Sequence, residues 1–238
     1  MRKYHLVTLL VALVAGACFL LSGPGTREGW FDWRTGLILF RTGAWFGIAA
    51  MVLALVGFGF VAVPKWRVWP WMPVASLALG ALGAAPPIVF LQQAKAVPPI
   101  HDITTDTVDP PAFVALAAAR EASPNKSAYG GPEVAAQQKK AYPDLDTKAL
   151  EEAPAAAMQK AIDVARTLGW EVVATDAASG RLDATETTRW FGFKDDVVVR
   201  IRPDGKGSRV DVRSVSRVGK SDVGANARRI RMFLDRMS

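Results

Sequence analysis

The residues best suited to chemistry lie near the end of the chain. The segment RSVSRVGKSDVGANARR, Arg213 to Arg229, gathers Arg213, Arg217, Lys220, Arg228 and Arg229 around a glycine-bearing strand-to-helix turn. Amides at a helix N-terminus attract anions, and guanidinium groups add two-pronged recognition of phosphate or carboxylate. The candidate ligand-binding set is therefore Arg213, Arg217, Ser221, Asn226 and Arg229, with Trp190 as an aromatic lip. The competing reading is structural. Ser221 or Asp222 caps the helix, Asn226 reaches back to the loop, and the arginines pair with Asp195, Asp196 or Asp211.

Trp190-Phe191-Gly192-Phe193 reads either as a ligand lip or membrane-touching tip, or as an aromatic plug at one end of the domain. Asp195 and Asp196 are carboxylates of the kind that do acid–base work. Adjacent strand residues point to opposite faces, however, so they cannot form a facing pair. His101-Asp102 lacks a companion nucleophile motif. With one cysteine, Cys18, and two histidines, no Cys- or His-based metal centre is expected, and no phosphate-binding glycine loop or nucleophile elbow is present. No catalytic residue, cofactor or metal is assigned.

The elements that must position these groups follow from charge distribution. The chain has 238 residues and net charge +7. Three gaps hold no Asp, Glu, Lys or Arg: 23 residues between Lys3 and Arg27, 23 between Arg41 and Lys65, and 27 between Arg67 and Lys95. Each exceeds the roughly 20 apolar residues that cross a bilayer core. Residues 1–100 carry 8 basic and 2 acidic side chains against 21 and 20 in the remainder. A freely soluble enzyme, a disulfide-stapled mini-protein and a disordered acidic chain are excluded.

Spans are expected at about 5–22, 42–63 and 71–91 within a transmembrane domain, 1–94. Pro86-Pro87 should bend or end the third. The first reads as an uncleaved helix; Ala15-Gly16-Ala17 and Cys18 provide the alternatives of a signal peptide or a lipoprotein signal. Trp66, Trp69 and Trp71, and Trp30, Phe31 and Trp33, mark two interfaces. Arg2 and Lys3, with Lys65 and Arg67, favour the cytoplasmic side, so residues beyond about 95 face outward. In a Gram-negative cell that is an inner-membrane protein with a periplasmic C-terminal domain. The basic residues therefore do not point to nucleic acid.

Residues 95–112, with two Pro-Pro pairs, read as an extended tether in which Thr104, Thr105, Asp106 and Asp109 bond nearby backbone. Residues 113–238 form an α+β domain with its core at 150–238. Short helices are expected at Phe113–Glu121 and Glu133–Lys140. A helix beginning near Ala153 buries Ala157, Ala161, Val164, Ala165 and Leu168 and stops at Gly169. Strands follow at Trp170–Asp176, Arg181–Thr188, Asp196–Arg202 and Ser208–Ser216, then a helix from Gly224 burying Ile230, Phe233 and Leu234. Placing Ile201 opposite Val210 and Val199 opposite Val212 also sets Arg200 opposite Asp211. The fold class is a membrane-anchored two-layer α+β sandwich: helix, four mainly antiparallel strands, helix.

IHDITTDTVDPPAF, AYPDL, GWEVVATD, TTRWFGFKDDVVVRIRPDG and RVDVRSVSRVGKSDVGANARRIR resemble the bacterial domain of unknown function 1499 over about residues 98–237. The resemblance implies domain boundaries and commonly preceding membrane spans, but no activity. The function read from these features is binding of an envelope protein or anionic small molecule by a domain anchored in the lipid bilayer. An envelope enzyme acting on lipid or cell-wall material through Asp195, Asp196 or Asp222, and a purely structural subunit of a membrane complex, are the alternatives. Ala49, Ala50, Gly80, Ala81 and Gly83 would allow close helix approach in the latter.

Overall fold

The computed structural model describes residues 2–61 and 71–237. Two compact units result, residues 1–93 with 189–192, and residues 94–188 with 193–238.

The first unit holds α1 (Arg2–Arg27), α2 (Trp33–Val61) and α3 (Trp71–Ala96). All three are long and apolar enough to cross a membrane. α1 runs past its expected span at both ends, α2 begins before its own, and α3 runs past its own at the C-terminal end. Pro86 and Pro87 do not end α3, which continues to Ala96. Proline interiors are tolerated in spanning helices because neighbouring helices and local adjustments compensate the lost amide bonds. The tryptophans Trp66 and Trp69, the basic pair Lys65 and Arg67, and the end of the second span lie outside the described residues. Glycine sets the closeness of packing. A Cβ on Gly47 would stand 2.4 Å from the carbonyl oxygen of Gly80, so α2 and α3 meet backbone to backbone there.

The second unit is an open six-stranded antiparallel sheet with helices. Its elements are β1 (Asp102–Thr104), α4 (Ala117–Glu121), α5 (Gly131–Ala141), β2 (Lys148–Leu150), α6 (Pro154–Thr167), β3 (Glu171–Asp176), β4 (Arg181–Thr187), β5 (Lys194–Asp204), β6 (Gly207–Ser216) and α7 (Ala225–Arg236). Strand order is β1-β6-β5-β4-β3, with β2 also pairing β6. The four expected strands are present, and the expected register holds: Ile201 faces Val210, Val199 faces Val212, and Arg200 faces Asp211. Two short strands are added, β1 and β2, both along the free edge of β6. The outer edge of β1 is closed by a side chain. Gln138 accepts from the Thr104 amide at 2.9 Å and donates to its carbonyl at 2.6 Å, blunting an edge that would otherwise recruit another strand.

The first of the short helices is shorter than expected, Ala117–Glu121 rather than Phe113–Glu121. Phe113 and Leu116 are instead turned into a small buried cluster with Val198 and Val215. The second short helix runs Gly131–Ala141, with Pro132 in its first turn where no amide bond is lost.

Two-residue periodicity divides the sheet. One face carries Leu182, Ala184, Val197, Val199, Ile201, Val210 and Val212 into the main core beneath α6 and α7. The helices meet it with Ala157, Ala161, Val164 and Ala165 from α6, and Ile230, Phe233 and Leu234 from α7. Trp170 stacks on Phe233 with ring centres 5.2 Å apart. Each such large apolar side chain contributes about 1.5–3 kcal/mol by leaving water. Gly169, with φ +81°, supplies the stop after α6.

Candidate functional site

The opposite face of the sheet is charged. Register places Asp183 and Thr185 of β4, Asp196, Arg200 and Arg202 of β5, Asp211 and Arg213 of β6, and Asp102 of β1 on it together. An isolated buried charge is costly, so each must be answered.

Asp196 is answered twice. Arg120 of α4 donates to its Oδ2 at 3.1 Å with both side chains wholly buried, and Arg217 donates to its Oδ1 at 2.8 Å. Burial pulls the Arg120 guanidinium below its usual pKa, against the opposing pull of Asp196. Arg213 grips Asp102 with two bonds, 2.9 and 2.7 Å, and also donates to the carbonyls of Pro111 and Ser127. Its guanidinium lies over the rings of Phe113 and Tyr129. Burial pushes the Tyr129 hydroxyl up to about 12, with Asp102 adding to the effect.

Ser221, Asn226 and Arg229 gather instead around the start of α7, on the helix-covered side. Arg229 donates to Asp195 at 2.6 Å and to Ser214 at 2.9 Å, and also bonds Glu186 and Asn226. Asn226 donates to the His101 carbonyl and to the Ser216 hydroxyl. Ser221 accepts from the Val223 amide. Asp222 accepts from the amides of Gly224 and Asn226 and so occupies the N-terminus of α7. Burial raises the Asp222 carboxyl, the Asp195 charge helping, while those amides work against the rise.

The structure thus brings Ser221, Asn226 and Arg229 to the start of α7, and sets Arg213 and Arg217 on the other face. Trp190 belongs to the helical unit, stacked on Phe19 with ring centres 4.8 Å apart. Phe191, in the same unit, meets Phe40 edge to face. Asp195 and Asp196 pair with Arg229 and with Arg120 and Arg217 respectively, so no facing carboxylate pair forms. Among the described residues, no three His, Cys, Asp or Glu side chains gather as metal ligands.

A feature missed in the sequence is the loop between β1 and α4. Arg200 donates to Asp211 at 3.0 Å, to Asp106 at 3.1 Å and to Asp109 at 2.9 Å. Arg202 reaches the same three carboxylates. Asp106 also accepts from the amides of Val108 and Asp109, as its expected local role required. Burial alone would raise the Asp106 carboxyl, but those two amides with Arg200 and Arg202 hold it below its usual pKa. At the base, the Thr105 amide donates to the Val212 carbonyl, and the Val212 amide donates to the Thr105 hydroxyl. Charge-assisted bonds from a sheet are stiff anchors. They hold a loop whose tip, Val108, is 89% exposed, with Val114 also open to solvent. Arg200 opposite Asp211 was legible as a cross-strand pair; the two loop aspartates completing it lie about a hundred positions away.

The family model described as protein of unknown function (DUF1499) matches residues 102–237. The chain belongs to that family. The DUF1499 match opens on the first residue of β1 and ends with α7, so it takes in the whole sheet, the charged face and the clamped loop. No protein with a curated description matches the chain. Membership of DUF1499 brings no activity with it, and the reading below rests on the geometry.

Proposed function

We propose that this DUF1499 protein uses its bundle of apolar helices to hold the α+β unit outside the cytosol, where the β1–α4 loop binds a protein partner in the envelope. In a Gram-negative cell this sets the bundle in the inner membrane and the domain in the periplasm. The orientation rests on the basic residues Arg2, Lys3, Lys65 and Arg67, which favour the cytoplasmic side.

The observation that carries the binding reading is Val108. An apolar side chain at 89% exposure stands on a loop whose own Asp106 and Asp109 are held from beneath by Arg200 and Arg202, themselves seated on Asp211 of the sheet. Fixing a loop before association removes an ordering cost from the binding step. The arginines that the sequence offers as an anion site favour this reading instead, since Arg213 and Arg217 on the charged face and Arg229 on α7 each already face a carboxylate.

The test places a photo-crosslinking amino acid at Val108 of the full chain in living cells, with the same group at Lys206 as control. A single defined adduct from position 108, abolished by Asp211→Asn elsewhere in the chain, supports the reading. Adducts no stronger than those from position 206 sink it. A reporter enzyme joined after Ser238 tests the orientation, and activity confined to the cytosol would overturn it.

A further inference from the structure

The helical unit contains a groove of about 370 Å³ between α2 and α3. Phe40, Ala44 and Ile48 form one wall, and Pro87, Ile88 and Leu91 the other. The one charged side chain on its lining is Arg41. From Arg41 to Ile48 the groove follows two turns of α2, about 10 Å at helical rise. Its position along α2 puts Arg41 at the end near the α1–α2 loop and Ile48 deeper in the span.

Arg41 forms no ion pair among the described residues. Only Glu28 and Asp32 are acidic within residues 1–93, and both precede the span. A guanidinium at the edge of a spanning helix seeks the headgroup region, and its geometry suits phosphate. An apolar channel running away from an unanswered cation matches an amphiphile with a phosphate at one end and a hydrocarbon chain at the other.

We propose that the α2–α3 groove binds one anionic phospholipid, its phosphate on Arg41 and one acyl chain between Ala44 and Pro87. The lipid comes from the leaflet on the side of the α1–α2 loop. This differs from general solvation by the bilayer in two ways: the lipid stays with the protein in detergent, and its headgroup charge matters. The proposal is independent of the partner reading, since no groove residue belongs to the β1–α4 loop.

The test reconstitutes the full chain in nanodiscs of equal dioleoyl phosphatidylglycerol and dioleoyl phosphatidylcholine, then transfers it to detergent for native mass spectrometry. The wild type should retain one phosphatidylglycerol. Arg41→Gln should lower the preference for phosphatidylglycerol about tenfold, as expected for loss of one charge-assisted contact. Ala44→Phe, which fills the groove, should abolish retention of both lipids; Ile48→Trp gives the same readout from the deeper end should Ala44→Phe fail to fold. Equal retention of the two lipids by the wild type, or retention unchanged in Arg41→Gln and in the folded groove-filling variant, overturns the proposal.

Discussion

Asp195 and Asp196 are consecutive in β5, yet their carboxylates serve opposite faces of the sheet. Asp195 meets Arg229 of α7 at 2.6 Å, and Asp196 meets Arg120 of α4 at 3.1 Å. The strand is thereby tied to a helix on each side. Removing one partner of a buried pair leaves the other charge unanswered, a loss of about 3–5 kcal/mol. Arg120→Met leaves Asp196 with Arg217 alone and also removes the donors that Arg120 gives to the carbonyls of Val215, Asn125 and Lys126, so it should lower stability by about 3 kcal/mol, the low end of that range, measured by denaturant unfolding of the detergent-solubilised chain. Arg217→Met should cost clearly less, because Arg217 reaches water and Arg120 still holds Asp196. Equal losses would show that the two arginines share the load in some other way.

The clamp on the β1–α4 loop depends on Asp211, a wholly buried carboxylate whose charge is answered by Arg200 and Arg202. Asp211→Asn leaves both guanidiniums less firmly seated against Asp106 and Asp109. The amides of Val108 and Asp109, which donate to Asp106, should then exchange hydrogen about tenfold faster, the equivalent of one charge-assisted bond. Amides in α6, which face the other side of the sheet, should not change. Unaltered exchange at Val108 would mean that the loop is held by its backbone alone.

Asp183 gives the fold a pH dependence of definite sign. Burial raises its carboxyl above the ordinary 3.8, outweighing Arg181 and the nearby amides. A folded-state pKa above the unfolded one means that the native state binds the proton more tightly. This contribution is complete below 3.8 and is lost as pH rises through the folded pKa. Asp183→Asn imitates the protonated form, so its melting temperature should exceed that of the wild type most at neutral pH. The gap should close on acidification toward 3.8. A gap that widened with acid would reverse the assignment.

The long strands were legible because their alternation leaves one register that buries Val197, Val199, Ile201, Val210 and Val212 together; a slip of one residue would turn Val197, Val199 and Ile201 to the charged face. β1 and β2 were not, since three residues carry no usable period and Asp102–Thr104 lies in a proline-flanked segment. The pairing of Arg217 with Asp196 and Arg229 with Asp195 was within reach from proximity along the chain. Arg213 was different: its partner Asp102 stands 111 positions earlier and only the β1–β6 pairing brings them together. The loop clamp failed to show for the same reason. Local chemistry predicted what Asp106 does for its own backbone, and nothing local could reveal Arg200.

The turn between β3 and β4 offers a test of how tightly the sheet closes on itself. Gly180 sits at φ +64°, and a Cβ there would stand 2.0 Å from the Ile201 carbonyl oxygen. Its own carbonyl accepts from the Ile201 amide at 2.7 Å, so the turn cannot withdraw without losing that bond. Gly180→Ala meets two penalties, left-handed backbone and a collision with main chain rather than with a flexible side chain. Strain of this kind costs about 1–3 kcal/mol, and the collision adds to it. The expected result is a fall in unfolding free energy at the upper end of that range, with faster exchange at the Ile201 amide. At Gly205, also at positive φ but with open space around its missing Cβ, Gly205→Ala should show the backbone cost alone. Equal losses at the two positions would remove the steric part of the argument and leave only the conformational one.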